Sequence, residues 1–381
     1  MMIRSFLPVG QGAFYCEQFS LAGDEKINIV YDCGSLTSVS FVEHQIKYNF
    51  REDEVIHAVF LSHLDADHIN GLPYLLKYCN VKKIFFPLLT EENKTLMELY
   101  GLVRGIDPND FTFEFLQDPY SALRRLDLRN FPILYQVREN IEDSYNRIDA
   151  QSNEQSVPSG ENVADRIGEN IDSTIFIRND WIYIPFNFRR EDRIKTLKKE
   201  LRKIFKRDMH NEDLKEIWER GNSIEKDNVK AAYRKVKGGF NVNSMTLFSG
   251  DQKGNAWQFV GKTPILPYCR HGFCCCDEKS GGCLYTGDYN ANEEMNWEQL
   301  RVAYDEHWNQ IGCVQIPHHG SSGSYNSELA KLDSYFVISA GSKNRYGHPH
   351  AIVLKDLLFH GHCPLVVTEH SGSAVHIVVE L

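Results

Sequence analysis

The chain reads as one large α/β domain, and three observations predict it. Short apolar runs with strand character recur from end to end, among them Val59–Leu61, Leu284–Tyr285, Val314–Pro317 and Phe336–Ala340, with stretches of helical period between them. Polar side chains gather where several of these runs stop, as they do when a site is carried on a rigid sheet. The chain has 381 residues, 42% of them hydrophobic and 12% aromatic, enough for a sizeable core. The expected organisation is a single domain over 1–381, interrupted at 139–240 by a polar loop and a basic helical insertion.

Taken in order, Met1 to Gly12 is a strand running into a turn at Val9-Gly10-Gln11-Gly12. Ala13 to Phe19 and Ile27 to Tyr31 are strands joined by a hairpin turn at Ala22-Gly23-Asp24, and the second ends on Asp32-Cys33-Gly34. Val59–Leu61 leads into a polar loop, after which Ile69 to Tyr78 has the helical period, with Leu72, Leu75 and Leu76 on one face. Val81 to Pro87 is a strand and Glu91 to Arg104 a helix. Glu139 to Asp172 is polar with few large apolar residues, the composition of a loop or a disordered segment. Strand alternation returns over Ile175 to Phe188.

Arg189 to Arg207 holds ten Lys or Arg against three acids, with Ile194, Leu197, Leu201, Ile204 and Phe205 at helical spacing. Its basic face is either a solvated surface or a clamp for phosphates, with Lys198 and Arg202 as candidate contacts. It also offers a docking face for a protein partner. Asn222-Ser223 caps a further helix that ends at Gly238-Gly239. A strand over Asn243 to Phe248 then resumes the sheet pattern, and two strands around His370-Ser371-Gly372 close it.

The bulk properties narrow the function. A net charge of -10 excludes a protein that coats nucleic acid non-specifically, though not one with a local basic track. No run of about 18 apolar residues exists to span a membrane, and Met1 to Phe19 lacks the apolar core of a signal peptide. Ten cysteines, three of them consecutive at Cys274 to Cys276, point to a reducing compartment, with the cytoplasm as the expected location. His271 with Cys269, Cys274, Cys275, Cys276 and Cys283 is compatible with a small zinc site. The absence of paired Cys-x-x-Cys spacing favours free thiols.

The chemistry concentrates in His63-Leu64-Asp65-Ala66-Asp67-His68, four metal-competent side chains within six positions after an apolar strand. Two imidazoles and two carboxylates on a strand-to-helix loop suit one or two divalent ions. Three further strand ends carry Asp32, Asp288 and His318-His319-Gly320-Ser321-Ser322.

This His-x-Asp-x-Asp-His loop resembles the metal loop of the metallo-β-lactamase superfamily, in which the second position is more often His. With Leu61-Ser62 before it, Ile69-Asn70-Gly71-Leu72 after it, and the pairs Val9-Gly10-Gln11-Gly12 and Tyr31-Asp32-Cys33-Gly34, the sequence is most similar to the hydrolase domain of ComEC competence proteins and its free-standing relatives. The resemblance implies an αββα sandwich. It implies that His63, Asp65 and Asp288 hold one ion, and that Asp67, His68, Asp288 and either His318 or His319 hold a second. Asp288 would bridge the two, and Asp32 would support the loop from behind.

By the same likeness the catalytic residues are Asp67, Asp288 and His348, the last donating to a phosphate oxygen or protonating the leaving group. Ser321, Ser322, Asn344, His348 and His350 would meet the substrate. Asp65 adds an oxygen ligand, which favours manganese with zinc as the alternative. The superfamily usually supplies a further His before the Gly-Asp strand end, and only His271 is available here. The reading is a metal-dependent phosphodiesterase or nuclease acting on nucleic acid or a nucleotide. The alternatives are a hydrolase of another ester or lactone on the same fold, and a regulatory member that binds partners.

Overall fold

In a computed structural model the described residues are 1–21, 25–89, 110–138, 148–149, 175–178, 181–188, 192–233, 244–260 and 277–381, with single positions at 94, 99, 107 and 235. The expected hairpin turn at Ala22-Gly23-Asp24, most of the helix over Glu91 to Arg104 and nearly all of the polar loop lie outside them. So do the helix end at Gly238-Gly239 and the cluster of His271 with Cys269 and Cys274 to Cys276.

Three strands open the chain: β1 (Met2–Phe6), β2 (Gly12–Ser20) and β3 (Lys26–Ser35). Helix α1 (Val39–Asn49) starts at Ser38, whose hydroxyl accepts the amide of Ser40. After β4 (Val55–Ile56) and β5 (Ala58–Phe60) come α2 (Ala66–Ile69) and α3 (Leu72–Tyr78). The expected helix over Ile69 to Tyr78 is therefore two short ones, broken at Asn70-Gly71, and Asp67 and His68 lie in the first turn of α2. Next are β6 (Asn80–Val81), β7 (Lys83–Pro87), α4 (Phe111–Gln117), α5 (Pro119–Arg124) and β8 (Ile133–Val137).

The middle of the chain holds β9 (Ile148–Asp149), β10 (Ile175–Arg178), β11 (Trp181–Phe186) and the helices α6 (Asp192–Phe205), α7 (Asn211–Arg220) and α8 (Ser223–Tyr233). Then follow β12 (Thr246–Asp251), β13 (Trp257–Val260), β14 (Lys279–Ser280), β15 (Gly282–Tyr285) and α9 (Glu294–Ala303). The last elements are β16 (Ile311–Gln315), β17 (Tyr335–Ser339), α10 (Ala351–Phe359), β18 (Leu365–Val367) and β19 (Val375–Glu380).

Seventeen of these strands form two sheets, ordered β14-β13-β19-β1-β2-β3-β5-β7-β8 and β18-β17-β16-β15-β12-β11-β10-β9. Strand alternation sorts their side chains into three apolar layers. On β3, Ile29 and Tyr31 point into the layer between the sheets, where they meet Trp181, Tyr183, Leu247 and Tyr285 of the second sheet. Val30 between them points outward to Val42 and Ile46 of α1 and to Leu72 and Leu75 of α3. On the second sheet, Leu284, Val314, Phe336 and Ile338 face outward against Leu300 of α9 and Val353 and Leu357 of α10. Helices cover both outer faces, so the architecture is an αββα sandwich.

The segment 139–240 holds strands of the second sheet as well as helices. β11 pairs along its length with β12 and places Trp181 and Tyr183 in the inter-sheet core. Helices α6 to α8 join the outer layer of the first sheet through Leu197, Leu201, Leu214, Ile217 and Val229. The two closing strands part company: β18 joins the second sheet beside β17, and β19 lies between β1 and β13 in the first.

An ion pair is buried between the sheets. Arg4 of β1 donates to Glu17 of β2 at 2.7 Å, with both side chains almost wholly excluded from solvent. Glu17 also accepts from Tyr183, Ser249 and Tyr285 of the opposite sheet at 2.6, 2.7 and 2.9 Å. Arg4 reaches Gln258 and the carbonyl of Gly281. Full pairing is what makes a charge at this depth tolerable.

Candidate metal centre

The site follows from strand direction. β3, β5 and β7 run parallel in one sheet, and β15, β16, β17 and β18 run parallel in the other. Their carboxyl ends deliver Asp32, the His63–His68 segment, Asp288, His318-His319 and the loop that carries His348. A crevice beyond such strand ends is where open α/β sheets bind ligands.

The backbone there is strained. Asp32, His318 and His319 are left-handed, with φ of 55°, 50° and 55°, and they make up half of the six described non-glycine residues with positive φ. Each costs about 1–2 kcal/mol, a strain that persists only where the surroundings enforce it. Two glycines permit the close packing. A Cβ on Gly34 would lie 2.5 Å from the backbone carbon of Asp67 and the nitrogen of His68. One on Gly287, itself at φ 52°, would run into Ser62 and Ser244.

Asp32 lies behind the cluster, fully buried. It accepts the amide and hydroxyl of Ser62, both at 2.7 Å, and its Oδ2 is 2.8 Å from His68 Nδ1. That contact turns His68 Nε2 toward the centre. His319 is oriented the same way by the carbonyl of Ser339, 2.8 Å from its Nδ1, and His318 by Ser324 at 3.1 Å.

Asp288 stands between two groups of imidazoles. Its Oδ1 is 3.4 Å from His68 Nε2 and 3.8 Å from His319 Nε2, while its Oδ2 is 3.6 Å from His318 Nε2 and 3.9 Å from His63 Nε2. Asp67 Oδ2 lies 3.2 Å from His319 and 3.9 Å from His68, and Asp65 Oδ2 lies 3.9 Å from His63. Donor atoms of Asp67, His68, Asp288 and His319 fall within 4.8 Å of one another, as do those of His63, Asp65 and Asp67. The structure thus separates the two candidates at positions 318 and 319. His319 joins Asp67 and His68, and His318 faces the His63 side of Asp288.

The donor set fits divalent cations. The Nε2 atoms of His63 and His68 are buried and have no hydrogen-bond partner, a costly arrangement for imidazoles aimed into a polar centre unless a cation takes their lone pairs. Burial pushes His63 down to about 3, so that lone pair is available at neutral pH. Burial alone would raise the Asp288 carboxyl, but His318, His319 and His68 outweigh it and hold it well below the usual range. Burial would likewise lower His68, yet Asp32, Asp288 and Asp67 hold it well above its ordinary value. His319 is raised by Asp288 and Asp67 against the same opposition. The pocket is lopsided: His68 and His319 are sealed, whereas the side chains of Asp65 and His318 are 19% and 28% exposed.

His348 lies beside these groups, its ring centroid 5.5 Å from His318 and 6.2 Å from His319. Burial and the neighbouring imidazoles press it down to about 4, so it is a neutral donor or acceptor here and not a standing acid. The four other residues expected near substrate here, Ser321, Ser322, Asn344 and His350, make hydrogen bonds within and between their loops. Asn344 donates to the carbonyls of Gly341 and His348 and accepts the amides of Tyr346 and His348. The Ser322 amide donates to His350 Nδ1 at 3.0 Å, and the Ser322 hydroxyl lies 2.8 Å from the same nitrogen. Ser321 is nearly buried and its hydroxyl accepts from the Gly323 amide. Lys198 and Arg202 lie on the exposed face of α6, and Arg202 is 3.5 Å from Asp208.

Several supports escaped the sequence reading. Ser244 accepts the Asp288 amide at 2.9 Å, and Gln315 Oε1 accepts the amides of Thr286 and Gly287 at 2.8 and 2.7 Å. A glutamine inside the apolar run Val314–Ile316 was the available signal, since a buried amide needs partners.

Residues 19–143 match the model of the metallo-beta-lactamase superfamily. That span carries Asp32 and the His63–His68 segment. Two solved structures align over nearly the whole chain. The short form of human tRNase Z is 10% identical, covering 96% of this chain and 92% of that one with a TM-score of 0.35. Zinc-bound PqqB from Methylobacterium extorquens is 8% identical, covering all of both chains with a TM-score of 0.41. No curated protein matches. No helix among the described residues is long and apolar enough to cross a membrane.

Proposed function

We propose that the chain is a metal-dependent phosphodiesterase, acting in the cytoplasm on a nucleic acid or nucleotide. One observation carries the reading: Asp288 presents its two oxygens to two different pairs of imidazoles. A carboxylate so placed can serve two cations at once, as a neutral imidazole cannot. In this proposal His63, Asp65 and Asp288 hold the outer cation, with His318 facing it. Asp67, His68, Asp288 and His319 hold the inner one. Divalent ions there, manganese by preference or zinc, would acidify a water and offset the charge that builds on phosphate oxygens.

The protein's own residues do the rest. Asp32 keeps His68 in one tautomer and one orientation, Ser339 does the same for His319, and His348 offers a neutral hydrogen-bonding nitrogen at the more open, His318 side. The test is a cleavage panel with manganese- or zinc-loaded protein against single-stranded DNA, duplex DNA, RNA, cyclic nucleotides and a lactone. Metal-dependent hydrolysis of at least one phosphodiester is expected. Cleavage of the lactone alone would replace this reading with the other ester hydrolase, and silence across the panel would favour a regulatory role.

A further inference from the structure

Beside the centre stands an aromatic side chain that the ligand set leaves unused. Tyr346 is 39% exposed, yet its backbone is clamped on both sides. Its amide donates to Asn344 Oδ1 at 3.0 Å, and its carbonyl lies 3.3 Å from His350 Nε2. Gly347, at φ 74°, then turns the chain back toward His348. The ring stacks on His348 with centroids 5.7 Å apart and planes 23° from parallel, and His348 lies at 25° to His319. Three rings, tilted by 23° and 25° from one to the next, therefore step from the buried centre to the surface. The Arg345 guanidinium lies over the outermost ring, 5.3 Å from its centroid.

We propose that Tyr346 is a stacking platform for an unpaired nucleobase next to the scissile phosphodiester, an inference that rests on the phosphodiesterase reading. An exposed apolar ring is usually left mobile. Here the loop fixes it, so a planar ligand meets a surface already in place. Every base has a π-face, so such a platform favours single-stranded or end-frayed substrates without reading sequence. Arg345 now lies over that ring and donates to its hydroxyl at 3.3 Å, so an incoming base would take its place, and the released guanidinium can lie over the base or pair with the adjoining phosphate.

The test uses a manganese-loaded protein and a phosphorothioate-linked single strand containing 2-aminopurine, whose fluorescence falls on stacking, beside the same strand with abasic sites. Wild-type protein should quench the based strand and bind it more tightly than the abasic one, and Tyr346→Phe should behave alike. Tyr346→Ala should abolish the quench and weaken binding of the based strand by about 5- to 100-fold. The same variant should leave the abasic strand within about twofold, since phosphate contacts alone hold it. Thermal melting of each variant checks the fold. Equal affinity of the wild type for both strands, or equal loss on both in Tyr346→Ala, would overturn the platform and leave the phosphodiesterase reading intact if the cleavage panel is positive. Failure of the wild type to bind or cleave any strand would overturn both.

Discussion

Asp32→Asn separates the support of a ligand from the ligand itself. The wild-type carboxylate accepts from Ser62 twice and from His68 once, at 2.7, 2.7 and 2.8 Å. Asparagine keeps the shape, tolerates the left-handed backbone and can still accept the Ser62 amide. Its amide group would then face His68 Nδ1, donor against donor whenever Nε2 is committed to a cation. Loss of such a partner typically costs 10- to 100-fold in metal affinity, or about 1.4–2.8 kcal/mol.

Asp32→Ala is a different perturbation. It strands the buried Ser62 amide, at about 1–3 kcal/mol, and places in left-handed backbone a residue that adopts it less readily than Asp or Asn. Titration calorimetry with manganese and thermal melting should therefore disagree between the two variants. Asn should lose inner-site affinity with little change in melting, and Ala should lose both. If Asp32→Asn binds metal as the wild type does, His68 is oriented by something else.

Three further outcomes follow from the geometry. Asp288→Asn should lower the bound metal toward one ion or none and remove hydrolysis while circular dichroism stays unchanged; retention of more than a few per cent of turnover would refute the bridging role. Metal binding should release protons and strengthen by up to about tenfold per pH unit for each proton displaced, because His68 and His319 are raised and must deprotonate while His63 is already neutral. In cation-free protein, the stabilisation from protonated His68 and His319 is full below the ordinary imidazole range and lost as pH rises through their raised values; melting curves across pH, with and without metal, read both effects. Reversing Lys198, Lys199 and Arg202 to Glu should raise KM for a polynucleotide, flatten its salt dependence and spare a small chromogenic phosphodiester; equal loss on both would mean that α6 supports the fold.

Much of the frame was legible because strand ends and helix faces are written in local patterns. The run before His63 and the Leu72, Leu75, Leu76 stripe signalled a strand and a helix that the structure contains, although Pro73 and Gly71 split the helix from its first turn. What pattern cannot reveal is which of two neighbouring imidazoles joins Asp67 and His68. At His318 and His319 that depends on two successive left-handed residues and on carbonyl Ser339, and these are properties of packing. The same limit applies to Asn344 and Ser322, whose hydrogen bonds to His348 and His350 no local pattern foretells. β11 illustrates a different limit. Its core role follows from pairing with β12, about sixty residues away in sequence and visible only in three dimensions.

The buried Glu17 cluster has a bearing on the candidate metal centre despite its distance in sequence from every residue of that centre. The centre is built in two halves, one on each sheet, so its dimensions are only as constant as the alignment of the sheets. Greasy faces can slide across one another by fractions of an ångström at small cost, whereas hydrogen bonds from Tyr183, Ser249 and Tyr285 to a single carboxylate cannot. Glu17 works as a locating pin through the sandwich. Variation there would detune the spacing of the two half-centres, and would show as slackened metal cooperativity in a protein whose active-site residues are all unchanged.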